Sequence, residues 1–410
     1  MELDKIGNVP AALFEMKPEA YIPQFIFIGH PDPTVEHFVS GNNDKIMKGC
    51  FVGKFSSVAK VELNEIIGRV IGWEQTARDC YLFIGRRKLD TVQFVKFLVM
   101  DGCFVVMYML VSVFPEFQDI DTSSFFWRFN DAVFRDLLLF QNQLPFFLLR
   151  SLYDLCVSNN QTILGNTSFI QLTHQFFIDR EGIGYLGKDF RVEEDKLEVK
   201  HLIHFLSCYM NFPHQDDSSK SLDGTPLMVS VWPPTATELY DYGISFEKKS
   251  HYSQKMFDER TGILRVPHII INETFESTMR NIIAYEYTIR KSPGVSNFLM
   301  FMRFLLNSDN DVNLLIKEGI IHNHLESAKE VTKLFQDLCK NVVAERNLYN
   351  YECQKMRKYC KHRRHRWMAS LKHDYFNTPW ALISFIAAVV LLLLTLMRAV
   401  VAVLSMPKPK

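Results

Sequence analysis

The chain has 410 residues, of which 48% are hydrophobic and 22% are charged. This balance supports a sizeable core and excludes a chain that is disordered throughout. The 46 basic and 46 acidic residues cancel, which argues against a general nucleic-acid binder. The cancellation hides an asymmetry, because residues 1–354 carry 35 basic and 45 acidic side chains, whereas residues 355–372 carry eight basic and no acidic ones. An acidic body is therefore joined to a basic neck.

The first half of the chain reads mainly as helix. Five prolines within the first 35 residues predict an extended N-terminal segment. Apolar residues at helical spacing then predict one or two helices over 45–83 and further helices over 91–114, 130–157 and 195–210. Pro145 must kink or split the helix over 130–157. Residues 211–234 contain four prolines and are predicted to form an internal loop or linker.

The second half adds a small β element. Thr235 and Glu238 have the spacing of a capping box that starts a short helix. Residues 243–249 and 263–271 have the pattern of strands. Helical spacing returns in three segments, over 275–287, 297–306 and 325–343. From Asn347 one long helix is predicted to run through the neck. The predicted fold class is therefore mainly α, with an α-rich globular body over 1–375, a small β element and one C-terminal transmembrane helix.

That last helix is predicted from an uncharged run of 18 residues, 380–397. At about 1.5 Å per residue such a helix is about 27 Å long, close to the hydrocarbon thickness of a bilayer. We predict a span over 380–404, with Arg398 snorkelling toward the interface, followed by a short tail over 405–410. The residues predicted to form the span are Trp380, Ala381, Leu382, Ile383, Phe385, Ile386, Val389, Val390, Leu391, Leu392, Leu393, Leu394, Leu396 and Met397.

The neck predicts the orientation of the body. Its basic residues, which are expected to lie against anionic headgroups, are Lys355, Arg357, Lys358, Lys361, Arg363, Arg364, Arg366 and Lys372. Three basic residues follow the uncharged run, so the positive-inside rule predicts a cytosolic body, as in a tail-anchored protein. The N-terminus lacks the pattern of a cleaved leader. The alternative is an extracellular or lumenal body, in which the sequons at Asn160, Asn166 and Asn272 would matter. Plasma membrane and endomembrane are not distinguished.

Residues 91–114 are nearly as apolar, but Lys96 and Asp101 interrupt them. Each charge at the centre of a membrane helix would cost about 2.5–3.5 kcal/mol. We therefore predict a central core helix in which Gly102 allows close helix packing and Phe104 is buried. The alternative is a membrane-active helix.

No motif predicts a catalytic, metal or cofactor site. Residues 182–187 match a dinucleotide-binding glycine pattern, but the strand before it would be only residues 176–178 and no acidic residue ends a second strand about 20 residues on, so a glycine-rich turn is predicted. Four potential metal ligands lack the spacing of a zinc module and are read as part of a basic helix face; they are Cys353, Cys360, His362 and His365. His201 and His204 share a helix face and are interpreted as ordinary helix residues. The eight scattered cysteines are expected to be reduced in a cytosolic body.

Several short motifs occur together and in order. They are Val9-Pro10, Ala20-Tyr21-x-Pro23, Ile28-Gly29, Ala77-Arg78-x-Cys80-Tyr81, Asp101-Gly102-Cys103-Phe104, the runs Asp136 to Phe147, Ala236 to Leu239, Gly262 to Pro267, Met279 to Glu286 and Leu334 to Cys339, then Tyr359-Cys360, Trp367 and the run Tyr375 to Trp380.

This series resembles the plant "domain of unknown function 247" family over essentially the whole chain. The resemblance implies an α-rich body with one C-terminal membrane helix, no established enzymatic activity and no ligand residue. It also implies a recognition role, because some relatives in grasses are implicated as pollen-side determinants of self-incompatibility. The sequence departs from the family at residues 28–34, where relatives often read Ile-Gly-Pro-Tyr-His-His-Gly, which leaves the role of that loop open.

The leading hypothesis is a membrane-anchored interaction or recognition module, in cell–cell or self-incompatibility-type signalling. Its partners would be a lipid bilayer and an unknown protein, with no nucleic acid and no cofactor, and its oligomeric state is left open. The alternatives are a membrane-bound enzyme of unknown reaction and a membrane-active protein that uses the 91–114 helix. An enzyme should bring buried titratable residues together in one cleft. Pairing of Asp101 with Arg78, or of Arg280 with Glu286, would indicate a purely structural role for these charges.

Overall fold

The computed structural model describes residues 5–28, 42–82, 89–178, 198–210, 230–249, 256–289, 294–340, 342, 347–361 and 379–404. The description of side chains leaves out 42–45, 120–128, 209, 379–382 and 402–404.

The described chain is mainly helical, which confirms the predicted fold class. The helices are α1 Ala11–Phe14, α2 Asn42–Ala59, α3 Leu63–Asp79, α4 Thr91–Val113, α5 Ile120–Leu137, α6 Phe146–Asn159, α7 Gln161–Leu164, α8 Phe169–Ile178, α9 Leu202–Met210, α10 Ala236–Asp241, α11 Phe275–Ile289, α12 Gly294–Leu305, α13 Asp309–Lys317, α14 Ala328–Leu338, α15 Asn350–Lys361 and α16 Pro379–Leu404. Single turns of 3-10 helix occur at Pro18–Ala20 and Pro115–Phe117.

The strands are β1 Ser245–Lys249, β2 Phe257–Asp258, β3 Ile263–Pro267, β4 Ile269–Ile271 and β5 Ile321–Asn323. They form two small sheets, in the orders β1-β3-β2 and β4-β5. In the first sheet β1 runs parallel to β3 and β2 runs antiparallel to it. The single strand predicted over 263–271 is therefore two strands, because the chain leaves the first sheet at His268 and pairs next with β5.

The core of the N-terminal half is built around α4. This helix packs against α2, α3, α6 and α8, and every side chain from Asp101 to Val111 is buried. A Cβ atom on Gly102 would lie 2.5 Å from Leu152 Cδ1 of α6, so the glycine permits this close approach of helices. Phe104 is fully buried, with its ring 5.0 Å from that of Phe51. The predictions for Gly102 and Phe104 are confirmed, and α4 is a core helix.

Several predicted boundaries shift. The helix predicted over 130–157 is two helices, α5 and α6, and Pro145 is the N-cap of the second. This outcome follows from the missing N–H of proline, which costs nothing at a helix start. Of the helix predicted over 195–210, the described part becomes helical only from Leu202. The capping box at Thr235 and Glu238 is present, with both reciprocal hydrogen bonds. The long helix predicted from Asn347 begins at Asn350, and its course over 362–378 lies outside the described residues.

Two glycines offer a test of the close packing of α4 against α6. A Cβ on Gly68 in α3 would meet nothing within 4 Å, so Gly68→Ala should stabilise the body by about 0.8–1 kcal/mol through helix propensity alone. Gly102→Ala places the same methyl group against a buried leucine, and such overpacking typically costs about 1–3 kcal/mol. Urea unfolding of the two variants should therefore shift in opposite directions. Stabilisation by both would show that α4 and α6 are not in close contact.

Candidate functional site

Buried polar residues at the end of α5 and in the turn that follows it hold the N-terminal segment by its main chain. The carboxylate of Asp136 accepts hydrogen bonds from the backbone N–H groups of residues 24–26, at 2.6–3.0 Å. Asn142 donates to the carbonyl of Ile26, at 3.1 Å. Burial raises the pKa of Asp136, and the three N–H donors and the guanidinium of Arg135 oppose that rise. The carboxylate is used to fix the fold and is not available to a substrate.

Helix α11 has a similar structural role. The side chain of Asn281 donates to the carbonyl of Ala20 at 2.9 Å and accepts from the N–H of Phe140 at 2.8 Å. Glu286 accepts from the N–H groups of Val295 and Ser296, at 2.8 and 2.9 Å. It thereby satisfies donors in the first turn of α12 that have no partner within the helix.

Burial raises the pKa of Glu286 to about 7, although hydrogen bonds from the start of α12 act in the opposite direction. A carboxyl group that titrates near neutral pH is a common feature of catalytic sites. Here, however, both carboxylate oxygens are occupied by the protein's own donors. Arg280 pairs with Glu276, at 2.9 Å, so the Arg280–Glu286 pair considered from the sequence does not form.

A buried ion pair joins α2 to α4. Lys48 Nζ lies 2.7 Å from Asp101 Oδ1, and both side chains are almost fully buried. Arg78 pairs instead with Glu74, at 2.7 Å. Removing one partner of a buried pair leaves an uncompensated charge and is strongly destabilising. Asp101 therefore has a structural partner, although this partner is not the one considered from the sequence.

His201 and His204 form a cap at the start of α9. His201 Nδ1 accepts from the N–H of His204, at 3.1 Å, and His204 Nδ1 accepts from the N–H of Lys200, also at 3.1 Å. The His201 ring is fully buried, in edge contact with Tyr285 of α11. The two histidines are therefore capping residues rather than members of an ordinary helix face. The sequence signal was their position one turn apart at the boundary of an apolar run.

Helix α15 carries the first part of the neck and is docked on the body. Glu352 accepts from the N–H groups of Met256 and Phe257, at 3.1 and 2.7 Å. Lys355 pairs with Glu352, at 2.6 Å, and Arg357 donates to the carbonyl of Trp232, at 3.0 Å. Lys355 and Arg357, which were predicted to bind headgroups, thus make contacts within the body. Lys358 and Lys361 of the same helix are exposed.

The two most apolar helices differ in their surroundings. Both Thr91–Val113 and Ile383–Val401 are long and apolar enough to cross a membrane, but 83% of an 18-residue apolar stretch of the first is buried, against none of the corresponding stretch of the second. Leu391, in the middle of the second segment, is 68% exposed. The structure therefore gives α4 a protein environment and leaves α16 as the candidate span.

Other predicted features lie partly outside the described residues. These are the glycine-rich motif 182–187, residues 211–229 of the predicted linker, and the neck residues Arg363, Arg364, Arg366 and Lys372. His362 and His365 also lie outside them. Where the chain is described, no group of three or more histidine, cysteine or acidic side chains could hold a metal ion.

Together these features define a mainly helical protein whose buried polar groups serve its own fold and whose C-terminal helix is a candidate membrane span. The chain belongs to a plant protein family of unknown function, domain of unknown function 247, whose model matches residues 6–394. The resemblance seen in the motifs is thus confirmed.

Two relatives from Arabidopsis thaliana align over nearly the full chain. One is "UPF0481 protein At3g47200", 26% identical over 436 residues, which covers 98% of this chain and 86% of that protein. The second, UPF0481 protein At3g02645, is 20% identical over 476 residues, covering 95% of this chain and 88% of that protein. No solved structure matches the chain.

Proposed function

We propose that this protein is a membrane-anchored interaction module. Helix α16 spans a bilayer, the body lies in the cytosol at the membrane surface, and the body binds a protein partner. The observation that carries the proposal is the contrast between the buried α4 and the fully exposed α16.

The exposure of α16 requires an apolar environment. From Ile383 to Val401 every side chain is exposed, including those of four consecutive leucines. Burying one such side chain is worth about 1.5–3 kcal/mol, so leaving the whole segment in water is strongly unfavourable. A helix satisfies all its internal backbone hydrogen bonds and is suited to hydrocarbon. These facts support a membrane span.

The docking of α15 supports a defined placement of the body. Because Glu352 and Arg357 bind main-chain groups of the body, the neck helix is not a free tether over residues 350–361. The exposed Lys358 and Lys361 lie on this helix. Basic residues near an anionic leaflet contribute about 1 kcal/mol each, so this end of α15 is suited to face the bilayer.

The distribution of buried charges favours interaction over catalysis. The five buried acids of the described chain lie on separate elements; they are Asp101 on α4, Asp136 on α5, Glu286 on α11, Asp311 on α13 and Glu352 on α15. Each binds groups of the protein itself. This arrangement supports an interaction module over the enzyme alternative. Because the family resemblance implies a recognition role, signalling proteins are the first candidate partners to test.

The orientation is tested in sealed plant microsomes that contain the full-length protein. We expect the protein to resist alkaline extraction, as a spanning protein does, and added protease to digest the body. Protection of the body from protease would overturn the cytosolic orientation.

Asn166 provides a second readout, because it is the exposed sequon. The amide of Asn160 donates to the carbonyls of Val58 and Cys156, both at 2.8 Å, so that side chain is a poor glycan acceptor. We expect no glycosidase-sensitive form. A glycosidase-sensitive form that disappears in Asn166→Gln would place the body in the lumen.

A further inference from the structure

The start of α9 depends on a histidine that must be neutral. His201 Nδ1 accepts the hydrogen bond from the N–H of His204, so the proton of the neutral ring is on Nε2. The N–H of the preceding residue, Ile203, donates to the side-chain oxygen of Gln143, at 3.2 Å. Two side chains therefore satisfy donors of the first turn that the helix itself leaves open.

Among the residues that the structure describes, those around His201 offer nothing that would stabilise a positive charge on its ring. The ring is fully buried, and among the described residues its Nε2 has no hydrogen-bond partner. Phe140 lies on one side, from the turn between α5 and α6, and Tyr285 on another, from α11. Within the described part of the chain, the titratable groups that face the ring are Tyr285 and His204, and neither is a carboxyl group.

The two charged side chains just before the cap would not compensate a charge on His201 either. Lys200 and Glu198, which precede the cap, pair with each other at the surface. The helix dipole also opposes a cation at the N-terminus of α9. Burial and the neighbouring His204 accordingly hold the pKa of His201 well below its usual value of 6.5.

Protonation of Nδ1 would also remove the cap itself. The nitrogen that accepts from the N–H of His204 would become a donor, so two donors would face each other in a buried site. An unmade buried hydrogen bond and an unpaired buried charge are both costly. The ring can accept a proton only if the first turn of α9 opens.

We propose that His201 is an acid-sensitive latch that holds α9 on the body at neutral pH and releases its first turn when the ring is protonated. Release would uncover Ile203, Phe205 and Leu206, which are fully buried, and the part of α11 beneath them.

The sign of the pH dependence follows from linkage. The closed state has the lower pKa, so its advantage is complete above the usual histidine value and is lost as pH falls below it. One proton taken up on opening multiplies the opening constant by up to tenfold for each pH unit below about 6. Glu286 acts in the opposite direction on α12, since its pKa is raised to about 7. Global stability therefore mixes the two effects, and a local measurement is required.

Hydrogen exchange of the full-length protein in lipid nanodiscs supplies that measurement. We expect the protection factors of α9 amides to fall by up to tenfold per unit below about pH 6, while those of α14 stay constant. His201→Asn keeps an N-capping side chain that does not titrate, and it should abolish the dependence. His322→Gln changes an exposed histidine on β5 and serves as the matched control. Equal pH dependence in α9 and α14, or an unchanged dependence in His201→Asn, would overturn the latch.

A second measurement needs no variant. Exchange of the ring carbon hydrogen follows the protonation state of each histidine and can be measured on the native protein across pH. We expect His201 to titrate well below the usual histidine pKa of 6.5. Titration of His201 at that usual value would show that the ring is not held neutral, and the latch would fail even if the asparagine variant did not fold.

Discussion

Phe104→Ala is expected to lower the free energy of unfolding of the body by about 3–5 kcal/mol, the usual cost of removing a buried phenylalanine. The ring is fully buried in α4, between Phe51 of α2 and Tyr108 one turn further along. Its removal takes away apolar contacts and leaves a cavity that the neighbouring helices can only partly fill. Because α2, α3, α6 and α8 all pack on α4, the loss should affect the whole N-terminal half.

Val92→Ala provides the matched control. Val92 lies on the same helix but is 76% exposed, so its truncation should change stability by less than about 0.5 kcal/mol. Both variants are compared by urea unfolding, with the midpoint and the slope recorded. A Phe104 variant as stable as the control would show that α4 is not core and would restore the membrane-active alternative for this helix.

The periodicity of apolar residues and the spacing of local motifs were sufficient to predict much of the fold. The two charges within 91–114 correctly indicated a core helix, because a membrane span would carry their full cost. The capping box at Thr235 and Glu238 was also recognisable, since both of its partners lie within one turn. The single strand predicted over 263–271 was wrong, because the apolar pattern continues across His268 while the hydrogen-bonding partner changes.

The hydrogen bonds that buried polar side chains make with distant main-chain groups were not predictable from the sequence pattern. Asp136 binds the main chain 110–112 residues away, and Asn281 binds Ala20 at a separation of 261 residues. A backbone N–H has no residue-type signal, so its partner cannot be read from the sequence. The motifs that carry the family resemblance nevertheless contain these residues, in the runs 136–147 and 279–286. Their role here is to join the N-terminal segment, the α5–α6 turn and α12 into one body.

The largest effect on localisation should come from removing α16. Full-length protein is expected to remain bound to vesicles at every salt concentration, because the span contributes apolar burial that salt does not screen. A form that ends at residue 375 keeps the neck and should bind vesicles rich in phosphatidylserine at low salt only, since the Debye length falls from about 10 Å at 0.1 M to about 3 Å at 1 M. A form that ends at Lys361 should not bind. This cut preserves α15, whose Glu352 and Arg357 hold the body.

Charge reversal tests whether the basic residues of the neck, rather than those elsewhere on the body, bind the anionic vesicles. In the form that ends at residue 375, we expect Arg363, Arg364 and Arg366 changed together to Glu to abolish the residual binding without unfolding the body. The matched control reverses three exposed body lysines, Lys96, Lys329 and Lys333, and should retain the binding. Vesicle flotation across a salt series measures each form, and circular dichroism confirms that each is folded. Binding by the form that ends at Lys361, if it persisted at high salt, would require a second apolar insertion surface on the body and would contradict the single anchor.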